Sequence, residues 1–180
     1  KVRRDSPGSA SLLANELAFV DWPHGMRAVD VDTGATRWLT RFPAWHACID
    51  ATGTRAVCDT TFPDRGIHLI DLASGKTKWR YKTNVEIGES TPAVAGGMVY
   101  IGDLRGTVHG INAADGKGVW TYKTGTEIKS SPVVVGDRVL VGSYDQSLYA
   151  IHAKTGKMLW KFESTGPIHA TPAISNGVAY

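Results

Sequence analysis

Residues 111–120 read INAADGKGVW, and nearly the same text stands at 29–38 (VDVDTGATRW), 70–79 (IDLASGKTKW) and 151–160 (IHAKTGKMLW). Each copy carries an apolar residue, a turn centred on Gly34, Gly75, Gly116 or Gly156, and a tryptophan four residues later, Trp38, Trp79, Trp120 or Trp160. The tryptophans are 41, 41 and 40 residues apart, so the chain is an internal repeat, and its period is the first constraint on the fold.

Outward from that turn the repeat resolves into strands. In the third copy TPAVA, MVYIGD, GTVHGIN and GVWTYKT are short runs separated by Gly96-Gly97, Leu104-Arg105-Gly106 and Ala114-Asp115-Gly116. The fourth copy follows as SPVVV, RVLVGS, QSLYAIH and KMLWKFE, with turns at Gly136-Asp137, Tyr144-Asp145 and Thr155-Gly156. One four-stranded antiparallel sheet of this size cannot bury both its faces alone. Such units stack and share cores, and an all-β period of about 40 to 45 residues predicts a β-propeller. Closely spaced glycine turns and the lack of a helical period exclude a solenoid of helix pairs. The fold class is all-β, with Trp-docking blades at about 8–41, 45–82, 91–124 and 131–163, and with 171–180 beginning another.

Composition limits what such a fold does. A net charge of +3 comes from 20 Lys and Arg interleaved with 17 Asp and Glu, so no single-sign patch suits nucleic acid or an anionic membrane. Apolar runs reach about five or six residues, far short of the roughly 20 of a membrane span. The opening KVRRDSPGSA reads as internal sequence and brings no targeting signal of its own. Each repeat tryptophan is expected to lay its ring over the neighbouring blade while its N–H reaches a backbone acceptor, and Trp→Ala there would cost about 3–5 kcal/mol. These residues read as structural docking, not as a binding site.

The text A-x-x-G-K-x-x-W, followed by Y-K-T or F-E-S and then by S/T-P, resembles the quinoprotein-like (PQQ-like) propeller repeat. Gly75, Lys76 and Trp79 carry the resemblance, with Gly116, Lys117 and Trp120, with Gly156, Lys157 and Trp160, and with Thr91-Pro92, Ser131-Pro132 and Thr171-Pro172. It covers residues 59–180. The first two repeats depart from it: WHACIDATGTRAVCDTTF has a longer hairpin without the S/T-P pair, and the first repeat keeps only the turn glycine and the tryptophan. The family includes quinone dehydrogenases, the lipoprotein of the outer-membrane barrel-assembly machinery, and sensor or scaffold domains. The resemblance implies a ring of about seven or eight blades, of which the chain supplies part, and a periplasmic or extracellular setting.

Candidate chemistry is sparse. Quinone dehydrogenases, by the resemblance, need an adjacent Cys-Cys disulfide, a Trp beneath the cofactor and a Ca²⁺ site, and no Cys-Cys pair occurs here. Cys48 and Cys58 become cross-strand neighbours if their turn is Thr52-Gly53-Thr54; a disulfide and two reduced, packed thiols both remain open. No C-x-x-C or paired-His spacing suggests zinc. His68 and His109 occupy equivalent places, filled by Tyr149 in the next repeat, which suggests a partly exposed amphipathic slot and not a metal site. His24, His46 and His169 fall near loops without identifiable partners.

Seven residues after successive tryptophans come Trp45, Glu86, Glu127 and Pro167, on connections from the outer strand of one blade to the inner strand of the next. Glu86 and Glu127 are the candidate binding residues of this loop face, where propellers usually carry function; solvated loop carboxylates are the plainer alternative. The expected function is a non-enzymatic scaffold that binds a protein or small ligand on its loop face or by strand addition, without a cofactor. The alternatives are a fragment of a PQQ-dependent alcohol or sugar dehydrogenase, which would bring PQQ and calcium, and the sensor domain of a membrane kinase. If the chain is whole, its open blade edges imply a homodimer closing one ring of about eight blades.

Overall fold

The computed structural model describes residues 11–14, 16–21, 25–42, 44, 46–49, 53–60 and 65–180. Four sheets of four antiparallel strands follow one another, each with its strands in chain order. The first holds β1 (Ser11–Ala14), β2 (Glu16–Asp21), β3 (Gly25–Val29) and β4 (Thr36–Leu39), and the second β5 (Ala47–Ile49), β6 (Arg55–Thr60), β7 (Gly66–Asp71) and β8 (Thr77–Lys82). The third holds β9 (Ala93–Ala95), β10 (Met98–Gly102), β11 (Thr107–Asn112) and β12 (Gly118–Lys123), and the fourth β13 (Val133–Val135), β14 (Arg138–Ser143), β15 (Ser147–His152) and β16 (Met158–Glu163). A hairpin of β17 (Ile174–Ser175) and β18 (Val178–Ala179) follows. Among the described residues no helix is long and apolar enough to cross a membrane.

Each four-stranded sheet has a register shift beside its tryptophan. Gly110 opposes Trp120 while Ile111 opposes Gly118, and the same step occurs at Ala28/Val29, Leu69/Ile70 and Ala150/Ile151. The extra residue of such a bulge twists the strand and re-aims the side chain after it. Val119, the extra residue of the third sheet, is exposed, and Trp120 turns towards the fourth sheet, where it packs beside Tyr100, Val139 and Ala153.

The cores lie between consecutive sheets. Met26, Ala47, Ala56, Cys58 and Ile70 fill the first seam. Val57, Ile67, Ile87, Val99 and Ile101 fill the second, and Val108, Ile128, Val141 and Ile151 fill the third. Central strands therefore bury residues of both parities, as strands covered on both faces do.

The cysteine register departs from the expectation. Ala47 opposes Cys58 and Cys48 opposes Val57, because the strands close on Ile49 opposite Ala56 across an even-numbered connection, where a turn centred on Gly53 needs an odd one. A one-residue slip sends the two side chains to opposite faces. Cys48 packs into the second seam and Cys58 into the first, so no disulfide joins the two.

Candidate functional site

The sheets meet their neighbours differently at their two rims. At one rim lie the β3–β4, β7–β8, β11–β12 and β15–β16 turns. Trp38 Nε1 donates to the Leu72 carbonyl at 2.8 Å, Trp79 Nε1 to Ala113 at 2.9 Å and Trp120 Nε1 to Ala153 at 2.8 Å. Each acceptor stands three residues before the next sheet's turn glycine, against which the ring lies. A Cβ on Gly75, Gly116 or Gly156 would stand 2.6–2.7 Å from ring atoms of Trp38, Trp79 or Trp120, and these glycines have φ of +68°, +72° and +69°. Only glycine meets both demands at that position. Trp38, Trp79 and Trp120 are thus fasteners between sheets.

The other rim carries the long connections. Ile87 and Ile128 anchor two of them in the seams. The Leu104 N–H donates to the Glu86 carbonyl at 2.9 Å and the Tyr144 N–H to the Glu127 carbonyl at 3.0 Å, so each connection is tied to the turn between the two middle strands of the following sheet. Nearer the inner strands, the Thr91 N–H donates to Ser131 Oγ at 2.9 Å and the Ser131 N–H to Thr171 Oγ1 at 3.3 Å. The S/T-P pairs thereby link successive sheets at their inner edges.

Charged side chains converge on this connector rim. Glu86 is exposed and lies 3.6 Å from Arg65 Nη2. Glu127 is half-buried and helps, with Tyr144 and Glu89, to hold Lys129 charged above its usual range. Glu86 and Glu127 therefore sit on successive connections, each with its own cationic neighbour. Sequence reading missed the residues that join the seams. Glu89 Oε2 lies 2.7 Å from His169 Nε2, Lys129 Nζ lies 3.7 Å from Glu89 Oε1, and Lys129 stands 5.0 Å over the Tyr144 ring. The hydrogen bond from His169 lowers the Glu89 carboxyl. Glu89 follows its tryptophan by ten residues and Lys129 and His169 follow theirs by nine, so a search at one fixed offset does not bring them together. His24 and Trp45 lie outside the described residues.

Below this rim, the slot of His68, His109 and Tyr149 is buried, not partly exposed. The preceding sheet and its connection cover it, with Phe42 against His68, Tyr81 against His109 and Tyr122 against Tyr149, which the sequence of one repeat does not show. Tyr81 Oη lies 3.1 Å from His109 Nδ1, and His109 Nε2 lies 3.0 Å from Asp103 Oδ2. Burial opposes charge on Asp103, but the bonds from His109 and from the Thr107 and Arg105 N–H groups outweigh it, and the carboxyl stays below its usual range. One seam on, Tyr149 donates to Asp145 at 2.7 Å, and burial together with that carboxylate pushes the phenol up to about 12. His68 stacks on Phe42 at 4.2 Å, and burial drives it down to about 4. His46 lies 3.4 Å from the buried Asp59, which raises it.

Among the described residues no group of three or more His, Cys, Asp or Glu side chains is placed to hold a metal ion. The adjacent cysteine pair that the quinone chemistry implies has no counterpart, since Cys48 and Cys58 face different seams. Of the buried polar contacts, Tyr81 with His109 and Ser143 with Thr124 join neighbouring sheets, whereas His109 with Asp103 and Tyr149 with Asp145 stay within one sheet. What the connector rim offers is a set of exposed and half-buried acids, bases and an aromatic ring suited to a polar contact.

Comparison with known proteins gives the same architecture. BamB from Moraxella catarrhalis is 24% identical, with a TM-score of 0.72 over 88% of this chain and 52% of that one. The computationally designed Ika8 protein, 13% identical, has a TM-score of 0.78 over 93% and 52%. A europium-containing methanol dehydrogenase is 25% identical, with a TM-score of 0.56 over 63% and 24%. The chain thus spans about half the length of the BamB structure it matches, and no curated protein matches it. The family described as outer membrane protein assembly factor BamB matches residues 6–124 and 63–180, and with the repeat joints this makes the chain a member of that family of PQQ-like β-propellers.

Proposed function

We propose that this chain is a scaffold that holds another protein against its connector rim, outside the cytoplasm and without a quinone or calcium. The observation that carries this reading is the cluster of Glu89, Lys129, His169 and Tyr144, which comes from successive connections and inner turns and satisfies no repeated structural need. Glu86 and Glu127 extend it outward along the same rim. Interfaces of this kind take specificity from complementary charge around aromatic anchors. The family's description as an outer membrane assembly factor supports a protein partner and an extracytoplasmic setting.

The likeness to a methanol dehydrogenase motivates the rival reading, in which PQQ and Ca²⁺ bind. A ligand that binds only the folded state at 100 times its Kd stabilises by about 2.7 kcal/mol. Thermal melts with PQQ and Ca²⁺ added, separately and together, are expected to leave Tm unchanged. A rise in Tm that saturates with PQQ would overturn the cofactor-free scaffold.

A further inference from the structure

Inward of the Trp120 joint, the third and fourth sheets leave a pocket of about 290 Å³ at the turn rim, bordered by Ala95, Tyr100, Val134, Asp137, His152 and Lys154. Tyr100 is the most buried of its polar side chains, 1% exposed, and among the described residues its hydroxyl has no hydrogen-bond partner. A buried hydroxyl left unpaired costs free energy. The same register position holds Ala18, Val57 and Leu140 in the other three sheets, so the stacking of sheets asks for no hydroxyl there. Burial raises the phenol, which stays protonated and able to donate. The mouth is equally particular to this seam. Asp30, Asp71 and Asn112 close the other outer turns by accepting N–H groups through a side-chain oxygen. His152 does so through Nδ1, which accepts the Lys154 and Thr155 N–H groups at 3.3 Å each, and this puts the ring proton on Nε2. Lys154 is exposed and stands where the other turns have Asp32, Ala73 and Ala114. The lining acid Asp137 lies 3.3 Å from Arg138 Nη1, so the charge left over at the mouth is positive.

We infer that this pocket binds a small aromatic acid, with a ring hydroxyl at its inner end on the Tyr100 phenol and its carboxylate at the mouth with Lys154 and the His152 Nε2–H. Apolar walls with a few convergent polar groups are the usual form of a small-ligand site, and here Ala95, Val134 and the Tyr100 ring supply the walls. At about 30 Å³ per water the space equals roughly ten waters, enough for one ring with two short substituents. A purely apolar inner end would leave the phenol unpaired, and a cation would meet Lys154, so the two ends of the pocket select both substituents. The connector rim takes no part in the site.

The test is isothermal titration calorimetry of the full chain with para-hydroxyphenylacetate and with phenylacetate, which lacks the ring hydroxyl. Saturable binding of para-hydroxyphenylacetate is expected, about fivefold tighter than that of phenylacetate, the worth of one neutral hydrogen bond. In Tyr100→Phe, which removes only the hydroxyl from an otherwise apolar wall, the two acids are expected to bind alike. Lys154→Gln changes an exposed turn residue and is expected to weaken both acids about two- to fivefold. Lys117→Gln, on the turn of the third sheet, is expected to change neither. Circular dichroism checks that the variants keep the fold, and the exposed Lys154 variant decides the mouth even if the Tyr100 variant unfolds. No saturable binding of either acid, a preference for the hydroxylated acid that survives Tyr100→Phe, or affinities indifferent to Lys154→Gln would overturn the site. None of these outcomes touches the connector rim, so binding there is tested separately.

Discussion

The two rims of the stacked sheets follow opposite rules. On the turn rim each seam is closed by the same atoms in the same geometry: an indole over a left-handed glycine, its N–H on the carbonyl three residues earlier. On the connector rim, equivalent places hold different residues. Glu86 and Glu127 are matched by Pro167, Leu104 by Tyr144, and Gly88 by Lys129 and His169. A position that the stacking of sheets must satisfy is filled alike in every repeat. A position released from that demand is open to a partner, and the connector rim is where the repeats differ.

The largest expected effect is on the turn rim. Trp79→Ala is expected to lower the unfolding free energy by about 3–5 kcal/mol, because the cavity left between sheets cannot collapse. Trp160→Ala is expected to cost less, about 1–2 kcal/mol, since Trp160 is 41% exposed and keeps only part of such a contact. Urea melts of the two variants check the contrast, and equal losses would mean that the joint is not what fastens the sheets.

The next effect is set by burial under the connector rim. His68 is held neutral by burial down to about pH 4, whereas an unfolded histidine titrates near 6.5. Between these values the unfolded state binds more protons, so the His68 contribution is complete above about pH 6.5 and falls as pH drops towards 4, by up to about 3 kcal/mol. His46 has the opposite sign, because its folded pKa is raised. The readout is therefore the stability of the unaltered chain minus that of His68→Leu across pH 7.5–4.5. A difference that does not change with pH would show that His68 is not desolvated.

Much of the fold was legible because a propeller repeats its fasteners. Four Gly-x-x-x-Trp turns placed sixteen strands in their order, and a backbone acceptor for each indole was expected, though which carbonyl accepts is seen only in the fold. The cysteine register was not. It depends on whether a connection is even or odd in length, which one unpatterned hairpin does not reveal, and the error moved Cys58 to the other side of its sheet. The histidine slot was misjudged because the exposure of these third-strand residues is decided by the preceding sheet. The candidate site was half legible: Glu86 and Glu127 fall at one repeat offset, whereas Glu89, Lys129 and His169 come together from different offsets and only the folded connections bring them into reach.

The most direct test of the connector rim as the binding face is site-specific photo-cross-linking in the cell. One probe replaces Glu127 on that rim and another replaces Asp115 on the turn rim. The expected result is a discrete adduct with a single polypeptide from position 127 and none from 115. An adduct from 115 alone, or equal labelling from both, would contradict the assignment of binding to the rim where the repeats differ.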